Sequence, residues 1–204
     1  MSISDVLGLV ISISSLMIGI IGFVYGLFEK KKRHSIQWGD LEAAVKTMIL
    51  QVKREFVPDI LYAPTQKSGI IVELALPYLQ HYTPTFFGIG IAKRNFSYEN
   101  AYPKILNAEV YFHFETTKWH AYVPKSIMAY NDKKILIVDD FAMSGEYLEK
   151  LKKCLIDDAG FDSSKIKTLC LATTEVAIND KKAPDYSWKV SDSAVIYLPW
   201  GRPQ

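Results

Sequence analysis

From Val6 to Phe28 the chain runs 23 residues without a charge, rich in Ile, Leu, Val and Phe. As a helix rising 1.5 Å per residue, that run spans about 34 Å, against a hydrocarbon core of about 30 Å. A helix lying on a water-soluble core would show a polar face; this one carries only scattered serines. The run closes on Glu29 and the bases Lys30, Lys31, Lys32 and Arg33. A cleavable leader has its bases in front of a shorter apolar region of about 7–15 residues, so the order here reads as a single-pass membrane anchor. Basic flanks stay on the cytoplasmic side, which places the protein in the cell membrane with residues 34–204 facing the cytoplasm. Gly8, Ser12, Ser15, Gly19, Gly22 and Gly26 recur at spacings of 4, 3, 4, 3 and 4. Such a stripe of small residues lets two helix backbones approach in lipid, so a homodimer through this helix is expected.

The chain thus divides into an anchor with its basic flank, 1–34, and a globular domain, 35–204. Four of the 24 bases and two of the 22 acids lie ahead of Ser35, leaving the domain 20 of each and no net charge. A polyanion-binding surface usually shows a basic excess, so nucleic acid is not an expected partner. Two cysteines, Cys154 and Cys170, are too few for a disulfide framework. They fall in segments that read as helix and buried strand, and are expected to be reduced core thiols.

Within the domain, Leu41, Val45, Met48, Ile49, Val52 and Phe56 recur at helical period, with Asp40 in position to cap the helix. Asp59 to Ala63 reads as a short buried strand ending in the polar turn Pro64 to Gly69, and Ile70 to Leu79 as a buried helix. Thr85 to Ala92 reads as one strand, and Glu109 to Phe114 with Trp119 to Val123 as a hairpin. Lys134 to Val138 is an apolar strand, Glu146 to Asp158 an amphipathic helix, Ile166 to Ala172 a strand, and Ala194 to Leu198 the last strand. Strands alternating with helices predict an α/β domain with a mainly parallel sheet.

In such sheets ligands bind beyond the carboxyl ends of the strands. There the segment Ile137-Val-Asp-Asp-Phe-Ala-Met-Ser-Gly145 delivers two adjacent carboxylates, then a short loop that opens a helix. Backbone N–H groups at a helix N-terminus cradle phosphate, and carboxylates can hold sugar hydroxyls or a hydrated Mg2+. The pair is expected at the strand end, facing solvent. His113 and His120, seven residues apart, have no Cys or His partner at metal spacing and read as strand histidines on one exposed face.

This segment resembles the phosphoribosyl pyrophosphate (PRPP) motif of the type I phosphoribosyltransferases: an apolar strand, two acids, three residues, then Ser or Thr and Gly. The resemblance extends at a lower level over about 150 residues of the domain. Asp59 to Gly69 is similar to the family's first strand and pyrophosphate loop, and Lys93 to Tyr98 to the start of its flexible loop. Pro184-Asp-Tyr186 and Tyr197-Leu-Pro-Trp-Gly201 resemble the hood of purine-type members. It implies a mainly parallel-sheet phosphoribosyltransferase-like α/β domain, which the single transmembrane helix read from the apolar run precedes.

Carried over by position, Asp139 and Asp140 would bind the ribose hydroxyls of PRPP and Mg2+, and Ala142, Met143, Ser144 and Gly145 would wrap the 5′-phosphate. Lys67 and Ser68 would hold pyrophosphate, with Lys93 or Arg94 arriving from the flexible loop; Asp139, Asp140 and Lys67 would be the catalytic groups. Tyr147 stands where the motif has a second Ser or Thr, and borders the same pocket. Met143 stands where purine-type members often have an Asp that acts as base, and Ala172 replaces the Lys that reads the 6-oxo group. Ala194 or Val195 stands at the place of a base-stacking aromatic. The sugar-phosphate half of the site is kept and the nucleobase half altered. Two classes follow: a transferase, or a tethered binding module without turnover.

The topology has a direct consequence. Protease added to intact spheroplasts should leave residues 34–204 uncut until the membrane is lysed; digestion before lysis would reverse the orientation.

Overall fold

A computed structural model describes residues 15–20, 34–79, 83–93, 110–191 and 196–201. The chain falls into two compact units, Met1–His34 and Ser35–Gln204. In the first unit residues 15–20 are helical, and Leu16, Met17, Ile18 and Ile20 are all exposed. No described helix is long and apolar enough to cross a membrane; most of the uncharged run lies outside the described residues.

The second unit opens with helix α1 (Trp38–Glu55). Gln37, not Asp40, occupies the N-cap; Asp40 sits in the first turn, where its charge favours the positive end of the helix dipole. The helix buries Leu41, Val45, Met48, Ile49 and Val52 on one stripe. Strand β1 (Ile60–Ala63) follows, then α2 (Gln66–Ala75). This helix starts four residues earlier than its apolar run predicts, because the Thr65 side chain caps it by accepting the Ser68 N–H at 3.3 Å. The polar turn is thereby reduced to Pro64 and Thr65.

Thr85 to Ala92 is not one strand. It divides into β2 (Thr85–Phe87) and β3 (Ile89–Ala92), which belong to different sheets. Gly88 makes the change: its N–H donates to the Ala63 carbonyl at 2.8 Å. A Cβ there would fall on the Tyr62 hydroxyl and within 3.1 Å of the Pro64 carbonyl oxygen, so only glycine fits this approach. Next come β4 (Tyr111–Glu115), β5 (Trp119–Pro124), β6 (Ile135–Ala142) and α3 (Glu146–Asp157). The chain continues through β7 (Ile166–Thr174), α4 (Glu175–Asn179), β8 (Tyr186–Ser191) and β9 (Ile196–Tyr197).

Among the described residues, β2-β1-β6-β7-β8 form a five-stranded parallel sheet, and β3-β5-β4 a three-stranded antiparallel one. Alternate residues of the central strands supply both faces. Leu61, Leu136, Val138, Leu169 and Leu171 pack with α1 and α2. Ile60, Tyr62, Ile135 and Ile137 pack with α3 residues Leu148, Leu151 and Leu155 and with Val123 of the hairpin. Burial on both faces is why these strands read as unbroken apolar runs. Cys154 and Cys170 are both buried free thiols whose pKa burial raises.

Asp185, in the segment that resembles the purine-type hood, instead fastens the amino ends of the strands. It accepts from the Thr168 N–H (2.8 Å) and hydroxyl (2.7 Å) and pairs with Lys152 (3.2 Å) and Lys167 (3.0 Å). Burial works against its ionised form, but the Thr168 and Lys167 bonds prevail and hold its pKa down at about 2. The stability this supplies is present above the unfolded value near 4 and is lost as pH falls toward 2. Asp185→Ala should therefore cost about 2 kcal/mol at pH 7, read from urea midpoints, and the deficit should close by about pH 2.

Candidate functional site

Strand β6 does not stop at Val138; it continues through the acidic pair to Ala142, paired with β7 at Asp139↔Cys170, Phe141↔Ala172 and Ala142↔Thr173. Asp139 and Asp140 are consequently buried, 7% and 3% exposed, rather than solvent-facing. The Ser68 hydroxyl donates to Asp139 Oδ1 at 2.6 Å, and the Asp140 N–H donates to the same oxygen at 2.9 Å. Ser68 also shares a 2.7 Å hydrogen bond with the Thr65 hydroxyl. The start of α2 is thus joined to the end of the central strand. Burial pushes the Asp139 carboxyl up to about 6, and the Ser68 bond offsets part of that rise.

Beyond Ala142 the loop turns sharply into α3. Thr173 and Thr174 at the end of β7 donate to the Ala142 carbonyl (3.3 Å) and the Met143 carbonyl. Gly145 caps the helix in the left-handed region at φ 70°, where a Cβ would run into the Lys182 carbonyl. The Ser144 hydroxyl accepts the Glu146 N–H at 3.5 Å. The remaining first-turn N–H groups of α3 point along the helix axis toward the loop, the arrangement that binds anions.

The acids and this loop border one cavity of about 350 Å³, lined by Asp139, Asp140, the residues from Phe141 to Leu148, Thr65 and the hairpin tip from Thr116 to Trp119. The Thr116 hydroxyl closes the tip by accepting the N–H groups of Lys118 (3.2 Å) and Trp119 (2.9 Å). The Thr117 N–H donates to the Glu146 carboxylate at 3.1 Å, and the Lys118 amine lies 3.4 Å from the Met143 sulfur. Tyr147 packs against Phe114 and Trp119, at ring separations of 5.6 and 6.5 Å. Its hydroxyl is driven well above the usual pKa by burial and by the Asp139 charge.

The structure brings together Asp139, Asp140, Ala142, Met143, Ser144, Gly145 and Tyr147 around the cavity, with Ser68 behind Asp139. Lys67 lies in the first turn of α2, partly buried and outside the cavity lining. Lys93 is turned to the hairpin instead: its N–H donates to the Lys118 carbonyl (2.8 Å) and its amine pairs with Glu115 (2.8 Å). Arg94 and the flexible-loop residues after it lie outside the described residues, as do Ala194 and Val195. Ala172 is buried in the core. Sequence reasoning missed Thr65 and Glu146. Thr65 carried a signal, a hydroxyl three residues ahead of Ser68 at a helix start; Glu146 carried none.

No family model and no curated protein matches this chain. Solved structures do. A purine phosphoribosyltransferase from Pyrococcus horikoshii Ot3 superposes with TM-score 0.56 at 19% identity, over 83% of this chain and 95% of the other. Helicobacter pylori xanthine-guanine-hypoxanthine phosphoribosyltransferase gives 0.54 at 18%, over 82% and 93%. A hypothetical protein from Neisseria gonorrhoeae with bound ppGpp gives 0.57 at 17%, over 82% and 89%. The domain has the phosphoribosyltransferase fold.

Asp139 generates a pH dependence opposite to that of Asp185. Its folded pKa lies above the unfolded one, so the native state keeps a proton that the unfolded chain releases between about pH 4 and 6. Stability falls as pH rises through that window. Asp139→Asn should raise the melting temperature by a few degrees at pH 7.5 and leave it unchanged below about pH 4; a loss at both pH values would mean that the carboxylate is structural.

Proposed function

We propose that this chain is a membrane-anchored protein whose Ser35–Gln204 unit takes PRPP with Mg2+ and transfers phosphoribose to, or removes it from, a base-like acceptor. The observation that carries this is the opening of two buried carboxylates and the N-terminus of α3 into one cavity. A ribose 5-phosphate needs both: acceptors for its 2- and 3-hydroxyls, and N–H donors for its phosphate. The phosphoribosyltransferase fold of the domain supports the reading. The anchor is supported by the uncharged run with its basic flank and by the exposed apolar side chains of residues 15–20. It puts the domain on the cytoplasmic face of the cell membrane, with self-association through the small-residue stripe.

Asp139 and Asp140 offer hard oxygen donors, which suit Mg2+ held by one or two carboxylates and by substrate oxygens. When bound, the ion would neutralise charge on the pyrophosphate. The chain's own groups do the rest. Asp139, oriented by Ser68, and Asp140 fix the sugar, and the Ala142 to Gly145 loop fixes its phosphate. The acceptor nitrogen forms a bond to C1 as the C1–oxygen bond breaks and pyrophosphate leaves with the electron pair. Trp119 and Tyr147 wall the cavity against water.

Two observations favour a tethered sensor or effector that binds without turnover: Lys67 lies outside the cavity lining, and Met143 offers no base. Titration calorimetry on the full chain in detergent, with PRPP, nucleotides and ppGpp, with and without Mg2+, separates the readings. Asp139→Asn combined with Asp140→Asn should weaken PRPP binding at least about tenfold, since bonds to charged acceptors contribute about 1.5–3 kcal/mol each. Unchanged PRPP affinity would overturn the site. In a transferase, Lys67→Ala should lower turnover far more than affinity; in a binding module it changes affinity alone.

A further inference from the structure

His113 and His120 are seven residues apart in sequence, but the register of the hairpin places Glu115 opposite His120 and His113 opposite Tyr122. His113 and Glu115, two apart on β4, share a face with their cross-strand neighbour His120. The opposite face carries Phe112, Phe114, Ala121 and Val123, which pack on the core. The three polar groups converge. His113 Nε2 lies 3.3 Å from His120 Nδ1 and 3.9 Å from Glu115 Oε1, and His120 Nδ1 lies 3.2 Å from the same oxygen.

We propose that His113, Glu115 and His120 form a binding site for a divalent transition-metal ion of the Zn2+ type, separate from the cavity. Three donor atoms about 3.3–3.4 Å apart are one face of a tetrahedron around an ion with bonds of about 2.0–2.1 Å. The observed separations, 3.2, 3.3 and 3.9 Å, fall around that edge. Two imidazoles and one carboxylate make a donor set that zinc accepts with a water in the fourth position; hard Mg2+, which prefers oxygen, is not matched. The imidazole rings lie within 14° of parallel, so one must turn about its last torsion to aim its lone pair. That torsion is broad in histidine, and the His113 side chain is 40% exposed, its ring stacked on Tyr122 at 4.7 Å.

The surroundings support the ligands. Lys93 holds Glu115 Oε2 at 2.8 Å, leaving Oε1 toward the histidines, and Lys150 donates to the Glu115 carbonyl at 2.6 Å. Ligating carboxylates are usually anchored in this way by a hydrogen bond to their other oxygen. Glu115 and His120 bracket Thr116 to Trp119, the tip that walls the cavity. An ion here ties β4 to β5 at the base of that wall and, through Lys93, to the end of β3.

The test uses the full chain purified in detergent and stripped with a chelator, titrated with Co2+ and read by its visible absorption. One Co2+ per chain should bind with the intense band of four-coordinate cobalt, be displaced by Zn2+, and resist a large excess of Mg2+. His113→Ala, His120→Ala and Glu115→Gln should each weaken binding about tenfold or more, the His113→Ala/His120→Ala pair should abolish it, and His34→Ala should leave it unchanged. Because His113 is exposed, its variant keeps the parent's melting temperature and reads the site alone. A chain that gives no stoichiometric band, or a band that survives the double histidine change, would overturn the proposal.

Discussion

A carboxylate taken out of water has to be met by hydrogen bonds or give up its charge, and the domain is arranged around one in that position. Asp139 stands near the end of the central strand, covered like the apolar residues before it. Ser68, 71 residues away, approaches close enough to donate at 2.6 Å. To deliver that hydroxyl, α2 must begin at Gln66, so Thr65 must cap it, and β1 must end two residues earlier beside β6. Helix start, strand register and acid position are therefore one geometric problem with one solution. Moving any of them takes the Ser68 hydroxyl away and leaves the acid with the Asp140 N–H.

The other half of the cavity is built on a different principle. Its wall, the hairpin tip, meets the α3 end through the Thr117 N–H on Glu146 and through aromatic packing of Tyr147. These contacts are individually modest, and the hydrogen bonds to Glu146 lie at a partly exposed rim, where such bonds contribute little. The floor, by contrast, is strand backbone paired with β7 from Asp139 to Ala142. The acidic pair and the loop after it lie on the stiff part, and the hairpin tip forms the softer one.

What the sequence disclosed follows from range. The apolar strand, the acidic pair, the loop and the amphipathic helix are consecutive, so their meeting at one end of the central strand was legible in their order. Contacts made by distant residues left no local trace: Ser68 meeting Asp139, Thr117 meeting Glu146, and Asp185 locking Thr168. The unbroken look of Thr85 to Ala92 concealed a change of sheet, since apolar alternation continues across Gly88 and only the crowding over Tyr62 shows why a glycine is there. Asp139 and Asp140 were expected in solvent because charge marks a strand's end in a pattern reading; β7 runs to Thr174 beside them and extends the pairing past the acids. His113 and His120 read as histidines on one exposed face, but seven residues of sequence become about 3 Å only once the turn length fixes which residues face each other.

The single-residue passage at Gly88 also bears on how such a domain can diversify. The antiparallel sheet follows the parallel one as an annexe entered through a single doorway, exchanging no ladder bonds with it among the described residues. Residues of the annexe can be replaced, lengthened or given new ligands without shifting the register of the five main strands. The doorway itself admits no side chain. A lineage built on this plan would keep its floor and its glycine while rewriting the wall.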